Sequence, residues 1–523
     1  MKTGIERLEG ARFDVLVVGA GINGASAAQH LAAEGYSVLL ADKADIGAGT
    51  TSRSSRLLHC GARYFVPGRS MAEFFLQPQK GVIALRLARA AMQMRAQMKR
   101  TSGERLRSFN WCYPIYRNGR YKAWQFDLAF RLLGALGPSD VPLGYRRMSR
   151  AETLAAPLLE WQYDPEQLTG AATMQEFQYI WPERIAVDAA LDARRLGAEV
   201  VPYTEVTGLT QTDDGGWRAD LRADGDTARI EAGMLVNTAG IWIDQLNARA
   251  SQTARRKIHG TKGIHIALRL PERCAGWATV NYSTDDEPLF CAPFNDFHYI
   301  GPSEVNWSGD PDDIAPTEAE IEQMVWETNR VLPGMGLQRK NVLFSWAGVR
   351  PLTYGGPAFP KGNRLRVLHD LADDGMQNAV ALTGGVIMTH RSAAQEIVGA
   401  VKKRVAPSGP KQDLSYAGRR FPLDRDSPAL SNDDPEIRLA DLRSVARDEL
   451  PQTLGDILFR RLPVGYRADM GRTVLRRAAE EVAGPMGWNA DEVEAQIAKY
   501  LQDTRHLHAL PETPPASGRK DIS

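Results

Sequence analysis

The chain has 523 residues, too many for one hydrophobic core, so two or three domains are expected. Its 43% hydrophobic and 24% charged residues are ordinary for a soluble protein. The 64 Lys plus Arg nearly balance the 63 Asp plus Glu, which argues against a general nucleic-acid binder, since that role needs a basic excess or patch.

The N-terminus, MKTGIERLEGARFD, is polar and does not read as a signal peptide. No uninterrupted apolar run of about 18 residues occurs, so no membrane-spanning helix is expected. Asp14 to Val18 form an apolar, β-branched run, the pattern of a strand buried on both faces. Gly19, Gly21 and Gly24 follow as G-x-G-x-x-G, then a helical pattern from Ala25 to Ala33 and a second strand from Tyr36 to Ala41. The first glycine permits a tight turn, the second lets backbone approach a pyrophosphate, and the third lets helix and strand pack closely. Asp42, at the end of the second strand, is placed to accept hydrogen bonds from a ribose hydroxyl. Together these predict a dinucleotide site, and the motif alone does not separate FAD from NAD.

Gly47 to Ser55 is rich in small and hydroxyl residues and leads into the cationic turn RLLHCGARY, residues 56–64. Residues 79–100 predict a long basic helix without acids, either a membrane-surface helix or a domain helix with a solvated cationic face. Residues 199–239 alternate as a β-meander that ends at Thr238-Ala239-Gly240, a second close approach of backbone to cofactor. More β-rich sequence spans 258–308. Residues 341–352 then end at Arg350-Pro351, and residues 379–391 pass through Gly384-Gly385 into a helix. Residues 406–417 form a linker, and helical patterns follow at about 437–462, 468–483 and 490–507. Asn489 and Glu492 resemble a capping box for the last helix, and the tail 511–523 reads as disordered.

The segments VVGAGINGA, TTSRSSRLLHCGARY, VNTAGIWID, KGIH, AGVRPL and TGGVIMTHR resemble the FAD-dependent glycerol-3-phosphate dehydrogenase and oxidase family. The resemblance implies FAD as cofactor and an α/β fold, in which a Rossmann-like FAD-binding domain interleaves with a β-rich substrate domain of the D-amino-acid-oxidase type. An all-α C-terminal domain completes it. The FAD parts fall at about 1–65, 180–260 and 340–405, the substrate parts at about 66–179 and 261–339, and the helical domain at 418–510. The resemblance also implies a cytoplasmic protein attached peripherally to the inner face of the membrane, with electrons passed to quinone. A small anionic substrate and a second copy of the chain are the other expected partners. No metal is expected, because Cys60, Cys112, Cys274 and Cys291 are scattered without ligand spacing.

The family pattern places Gly19, Gly21, Gly24, Asp42, Thr51, Ser52, Ser55, Val206, Gly240, Gly385 and Val386 against the cofactor. Catalysis falls to His59, His265, Arg350 and Lys262, and substrate binding to Arg63, Tyr64, Ser303, Arg364 and Arg366. Oxidising a secondary alcohol needs a base for the hydroxyl proton, and either histidine titrates in the right range. Arg350, fixed between a strand and a proline, offers a rigid fork to a phosphate or carboxylate. If Arg364 and Arg366 lie on a strand they share a face, which would let Arg366 assist. Four departures from the family fall in or beside the substrate half: His59-Cys60-Gly61 for His-Gly-Gly, Val386 for a lysine, Gly301-Pro302-Ser303-Glu304 for Gly-Thr-Thr-Asp, and Arg364-Leu365-Arg366 for Arg-Asp-Tyr. Cys60 reads as a buried filler rather than a redox thiol. The expected reaction is oxidation of glycerol 3-phosphate or a close phosphorylated polyol to the ketone. The alternatives are a carboxylated hydroxy acid or amine as substrate, and a flavin-binding sensor with weakened catalysis.

Overall fold

The chain passes back and forth between two sheets, and a computed structural model describes it over residues 4–61, 78–358, 362–416, 418–432 and 434–509. Arg63, Tyr64 and the tail from 511 lie outside the described residues. β1 (Arg12–Val18), α1 (Ile22–Ala33) and β2 (Val38–Ala41) open the first sheet. Val15 to Val18 and Val38 to Ala41 are buried on both faces, which explains their unbroken apolar sequence. The chain then leaves for α2 (Pro78–Thr101), β3 (Leu106–Tyr116), α3 (Ala123–Leu136) and β4 (Leu168–Tyr179), whose strands lie in the second sheet. It returns through α4 (Pro182–Arg195), β5 (Glu199–Val201), β6 (Glu205–Gln211), β7 (Trp217–Ala223) and β8 (Asp226–Asn237). Next come β9 (Ile258–Leu268), β10 (Trp277–Tyr282), β11 (Pro288–Phe294), β12 (Phe297–Gly301) and β13 (Val342–Thr353) of the second sheet. β14 (Val367–Asp370), β15 (Ala379–Thr383) and α5 (His390–Val401) close the first.

The first sheet runs β14-β15-β8-β1-β2-β5, with β7 beside β8 and β6 beside β7. β1 pairs in parallel with both β2 and β8, so its carboxyl end opens at the centre of the sheet. The second sheet contains β9, β12, β11, β10, β3 and β4 in that order, with β13 antiparallel to β9. This pairing corrects the expected boundary: residues 342–353 belong with the substrate sheet rather than with the FAD part. The register Ile258↔Thr353 to Leu268↔Val342 is nearly continuous, which sequence order alone did not disclose.

Beyond the linker, α6 (Leu439–Asp448), α7 (Leu475–Met486) and α8 (Ala490–His508) form a C-terminal unit. It is helical apart from a short ribbon, Ala429–Ser431 with Asp434–Arg438. Asn489 and Glu492 make the expected reciprocal cap on α8, at 2.9 and 2.7 Å. The unit shares a core with the second sheet, where Trp181, Phe294 and Phe344 cluster with Leu458, Leu462 and Tyr466. Buried ion pairs tie it to the first sheet. Arg461 holds Asp45 at 2.5 and 2.7 Å, Arg460 holds Asp45 at 2.5 Å, and Arg184 holds Glu449 at 2.5 Å. Removing one partner from such a pair strands a buried charge and costs about 3–5 kcal/mol.

α2 resolves into two parts. Its later turns bury Ala88, Ala91, Met92, Ala96 and a fully buried Arg95, whose guanidinium caps the Val141 and Gln175 carbonyls at 3.0 Å. Its first turns expose Val82, Ile83 and Leu85 beside Arg86 and Arg89, and neighbouring α3 exposes Trp124, Leu128 and Leu132. Among the described residues no helix is long and apolar enough to cross a membrane.

Candidate active site

One cavity of about 820 Å³ begins at the carboxyl end of β1 and continues onto the face of the second sheet. At its first end the glycines act through shape. A Cβ on Gly19 would lie 2.6 Å from the Thr238 carbonyl oxygen, and Gly19 has φ +100°. A Cβ on Gly24 would lie 1.8 Å from the Gly19 carbonyl oxygen, so only glycine lets α1 approach β1 here. At Gly21 the nearest atom would be Thr51 Oγ1 at 3.5 Å, and this residue lines the cavity. The Thr51 hydroxyl accepts from the Ile22 amide at 3.0 Å and fixes the first turn of α1.

Asp42 accepts from the Ala20 and Ala44 amides at 2.6 and 2.8 Å, and burial pushes its carboxyl up to about 6. A carboxylate has further lone pairs on the cavity side for ribose hydroxyls. Val206, Ala239, Gly240, Gly384, Gly385 and Val386 continue the wall, the last three glycines with φ of +59°, +66° and +82°. A glycine-cleared helix N-terminus, a carboxylate acceptor and a long adjoining wall are a donor and acceptor set that fits FAD. Ser52 is turned away from this wall and donates to the Gly47 carbonyl at 2.7 Å.

At the far end β9 and β13 bring the chemistry together. His265 is buried, stacked on Trp346 at 4.8 Å with 11° between planes, and edge-on to Tyr299. Its Nε2 lies 3.1 Å from Ser55 Oγ, while Nδ1 has no hydrogen-bond partner among the described residues. Burial, then the Arg350 and Arg56 charges, hold this imidazole well below the usual histidine range, so it is neutral at pH 7. His59 also lines the cavity, half-buried and in the left-handed region at φ +49°. Next to it, the Cys60 amide donates to buried Glu176 at 2.8 Å, and Cys60 Sγ sits 3.7 Å from Met174 Sδ as a filler.

Arg350 and Arg364 both reach the cavity, and Glu304 lies with them: it pairs with Arg364, and its Oε2 is 4.0 Å from Arg350 Nη1. Besides Ser52, three expected site residues stand elsewhere. Lys262 pairs with Glu320 at 2.8 Å and is absent from the cavity wall, because Gly263 and His265 take the opposite face of β9. Arg366 pairs with Glu396 at 2.9 Å and donates to Ser392 Oγ at 2.7 Å. β14 starts only at Val367, so strand alternation does not align Arg366 with Arg364. Ser303 accepts from the Ile264 amide at 3.0 Å, bracing β9 rather than facing the cavity.

Sequence reasoning left Glu304 out of the site, although its departure from the family motif was visible. It also passed over Arg56, buried against Glu183 at 3.1 Å and lying 3.8 Å over the Tyr466 ring. A run of three cations within residues 53–63 was the available signal, but nothing local named the acid that pairs with Arg56. Among the described residues no group of acid, histidine or cysteine side chains could hold a metal.

Residues 14–395 match the family model described as FAD dependent oxidoreductase. A glycerol-3-phosphate dehydrogenase of Synechocystis sp. is 26% identical, with 94% of this chain and 96% of the relative covered. A D-erythritol 1-phosphate dehydrogenase of Brucella abortus is 29% identical, with 73% of this chain and 72% of the relative covered. The structure of the glycerol-3-phosphate dehydrogenase from Bacillus halodurans complexed with FAD has the same fold, at TM-score 0.69 and 18% identity over 96% of both chains.

Proposed function

Since the chain belongs to the FAD dependent oxidoreductase family and is therefore an FAD-dependent oxidoreductase, we propose that it oxidises glycerol 3-phosphate or a close phosphorylated polyol to the ketone and passes the electrons to quinone. The carrying observation is the junction of β9 and β13, where a neutral, buried His265 and the Arg350 guanidinium share one wall with Gly385 and Val386. The names of the relatives support a phosphorylated polyol as substrate.

When bound, FAD supplies the hydride acceptor. The residues supply the rest. Arg350 and Arg364 hold the substrate anion and fix the orientation of the carbinol carbon. His59 or His265 takes the hydroxyl proton as the carbonyl forms. Anion binding also tunes His265, because the Arg350 charge is one cause of its weak basicity and the arriving anion offsets it. Trp346 and Tyr299 keep water from the back of this imidazole.

The direct experiment is anaerobic addition of glycerol 3-phosphate and of erythritol phosphate to the flavin-loaded protein. Bleaching by either supports the class; none by both removes it. A second reading draws on Val386, which stands where the family pattern has a lysine and leaves less positive charge at this end: a carboxylated hydroxy acid or amine clamped by Arg350. Bleaching by those compounds alone would establish it instead.

Peripheral membrane attachment belongs to the same proposal. It rests on exposed Val82, Ile83, Trp124 and Leu128 beside the cations of α2. Trp124→Asp should abolish flotation with anionic vesicles, and unchanged flotation would exclude this face.

A further inference from the structure

The loop that joins the short strand Val305–Asn306 to the helix Glu318–Val331 leaves the second sheet and reaches the nucleotide end of the cavity. Both of its ends are fixed. Val305 and Asn306 pair with Lys262 and Thr261 of β9, and the Trp307 amide donates to the Gly260 carbonyl at 2.9 Å. At the other end Thr317 and Glu320 cap the helix reciprocally, at 2.8 and 3.3 Å.

Between these ends Pro311, Asp312 and Ile314 line the cavity together with Lys43, which follows Asp42, and Trp242, just past the Ala239-Gly240 turn. The Asp312 carboxylate pairs with Lys43 and accepts from Trp242 Nε1 at 2.8 Å, while the Lys43 ammonium stands 4.8 Å over the same indole. Asp313 lies 2.8 Å from His506 Nε2 on α8. Ile314 is buried, and its carbonyl accepts from Arg53 at 2.8 Å. The Asp312 and Asp313 side chains, by contrast, are more than half exposed, so their contacts separate at little desolvation cost. A loop hinged at both ends and fastened mainly by exposed polar contacts can open without unfolding the elements it joins.

We propose that residues 307–317 form a strap that retains FAD, with Asp312 as its latch. The glycine motif and Asp42 then supply affinity for the nucleotide, and the substrate half of the chain sets how long the cofactor stays. Every contact in the latch is made between the protein's own side chains, so opening is needed for entry as well as for exit. Loosening the latch therefore speeds both release and rebinding, as expected of a gate. A contact that only stabilised bound FAD would speed release alone.

The test follows FAD release from the loaded protein by the rise in flavin fluorescence, with a flavin-binding trap preventing recapture, and then rebinding of FAD to the stripped protein. Asp312→Ala removes the ion pair and the indole's acceptor, and should speed release about tenfold. Asp312→Asn keeps an acceptor and loses the charge, so about threefold is expected. Raising the ionic strength should speed release from wild type and leave Asp312→Ala nearly unchanged. Arg476→Ala breaks an exposed pair with Glu494 far along the chain and should leave the rate as it is. Wild-type release from Asp312→Ala, faster release without faster rebinding, or equal acceleration in Arg476→Ala overturns the strap. Should Asp312→Ala purify without flavin, Asp312→Asn decides, and a wild-type release rate there overturns it.

Discussion

The two ends of the cavity are built by different means. At the β1 end the wall is mostly backbone: three glycines and a helix N-terminus, with one carboxylate, packed against the Thr238-Ala239 turn at the end of β8. At the β9–β13 end the wall is side chains drawn from residues 55 to 386, and their roles depend on which partner each charge takes. A backbone site tolerates almost no substitution and recognises a cofactor class. A side-chain site can be retuned by exchanging one ion-pair partner for another, and it recognises a particular substrate.

The sharpest way to break this contrast is Gly24→Val. Its Cβ would fall within 1.8 Å of a backbone oxygen, so flavin loading should be lost entirely, as read from the absorbance of the purified protein. Retained loading would show that the first end can yield after all. Arg350→Met comes next, with kcat/KM expected to fall about 10²–10³-fold through loss of a charged contact to the substrate anion. Its counterpart Lys262→Met should stay within about threefold, because Lys262 serves Glu320. Equal losses for the two would return Lys262 to the site.

The smallest effect is acid dependence, and its sign differs between the ends. Burial lowers His298 to about 4 and His508 to about 3, with His265 shifted the same way. The stability these neutral imidazoles contribute is complete above about pH 6.5 and is lost as pH falls through the folded values, about 3 kcal/mol for His298. Asp42 is raised to about 6, so its contribution is complete below about pH 4 and is lost as pH rises through 6. Hydrogen exchange in the flavin-free protein between pH 7 and 4.5 should therefore loosen β12 and α8 while β1 and β2 hold or tighten. Uniform loosening would contradict the division.

The same contrast explains what the sequence disclosed. Gly19 to Asp42 is legible because each residue's job is local: a turn, a close approach, a strand end. Asn489 and Glu492 are legible for the same reason. Lys262 and Arg366 were misplaced because type and motif say nothing about which acid, Glu320 or Glu396, waits across the fold. Glu304 was visible as a departure but not as a member of the site, since its neighbours Arg350 and Arg364 arrive 46 and 60 residues later. Residues 342–353 were placed with the FAD part by the family resemblance, and only the register of β13 with β9 shows that they pair into the second sheet.

The grip of Arg460 and Arg461 on Asp45 has a consequence for the chain's mechanical unity. Asp45 is three residues beyond Asp42, on the same turn that continues into the cavity wall. Peeling the C-terminal helices from the body would leave that carboxylate buried without its two cations. Such a step cannot stop at the surface: it loads the nucleotide turn directly. A truncation made to trim the molecule near residue 418 would reach the opposite end of the cavity from the one where substrate is oxidised.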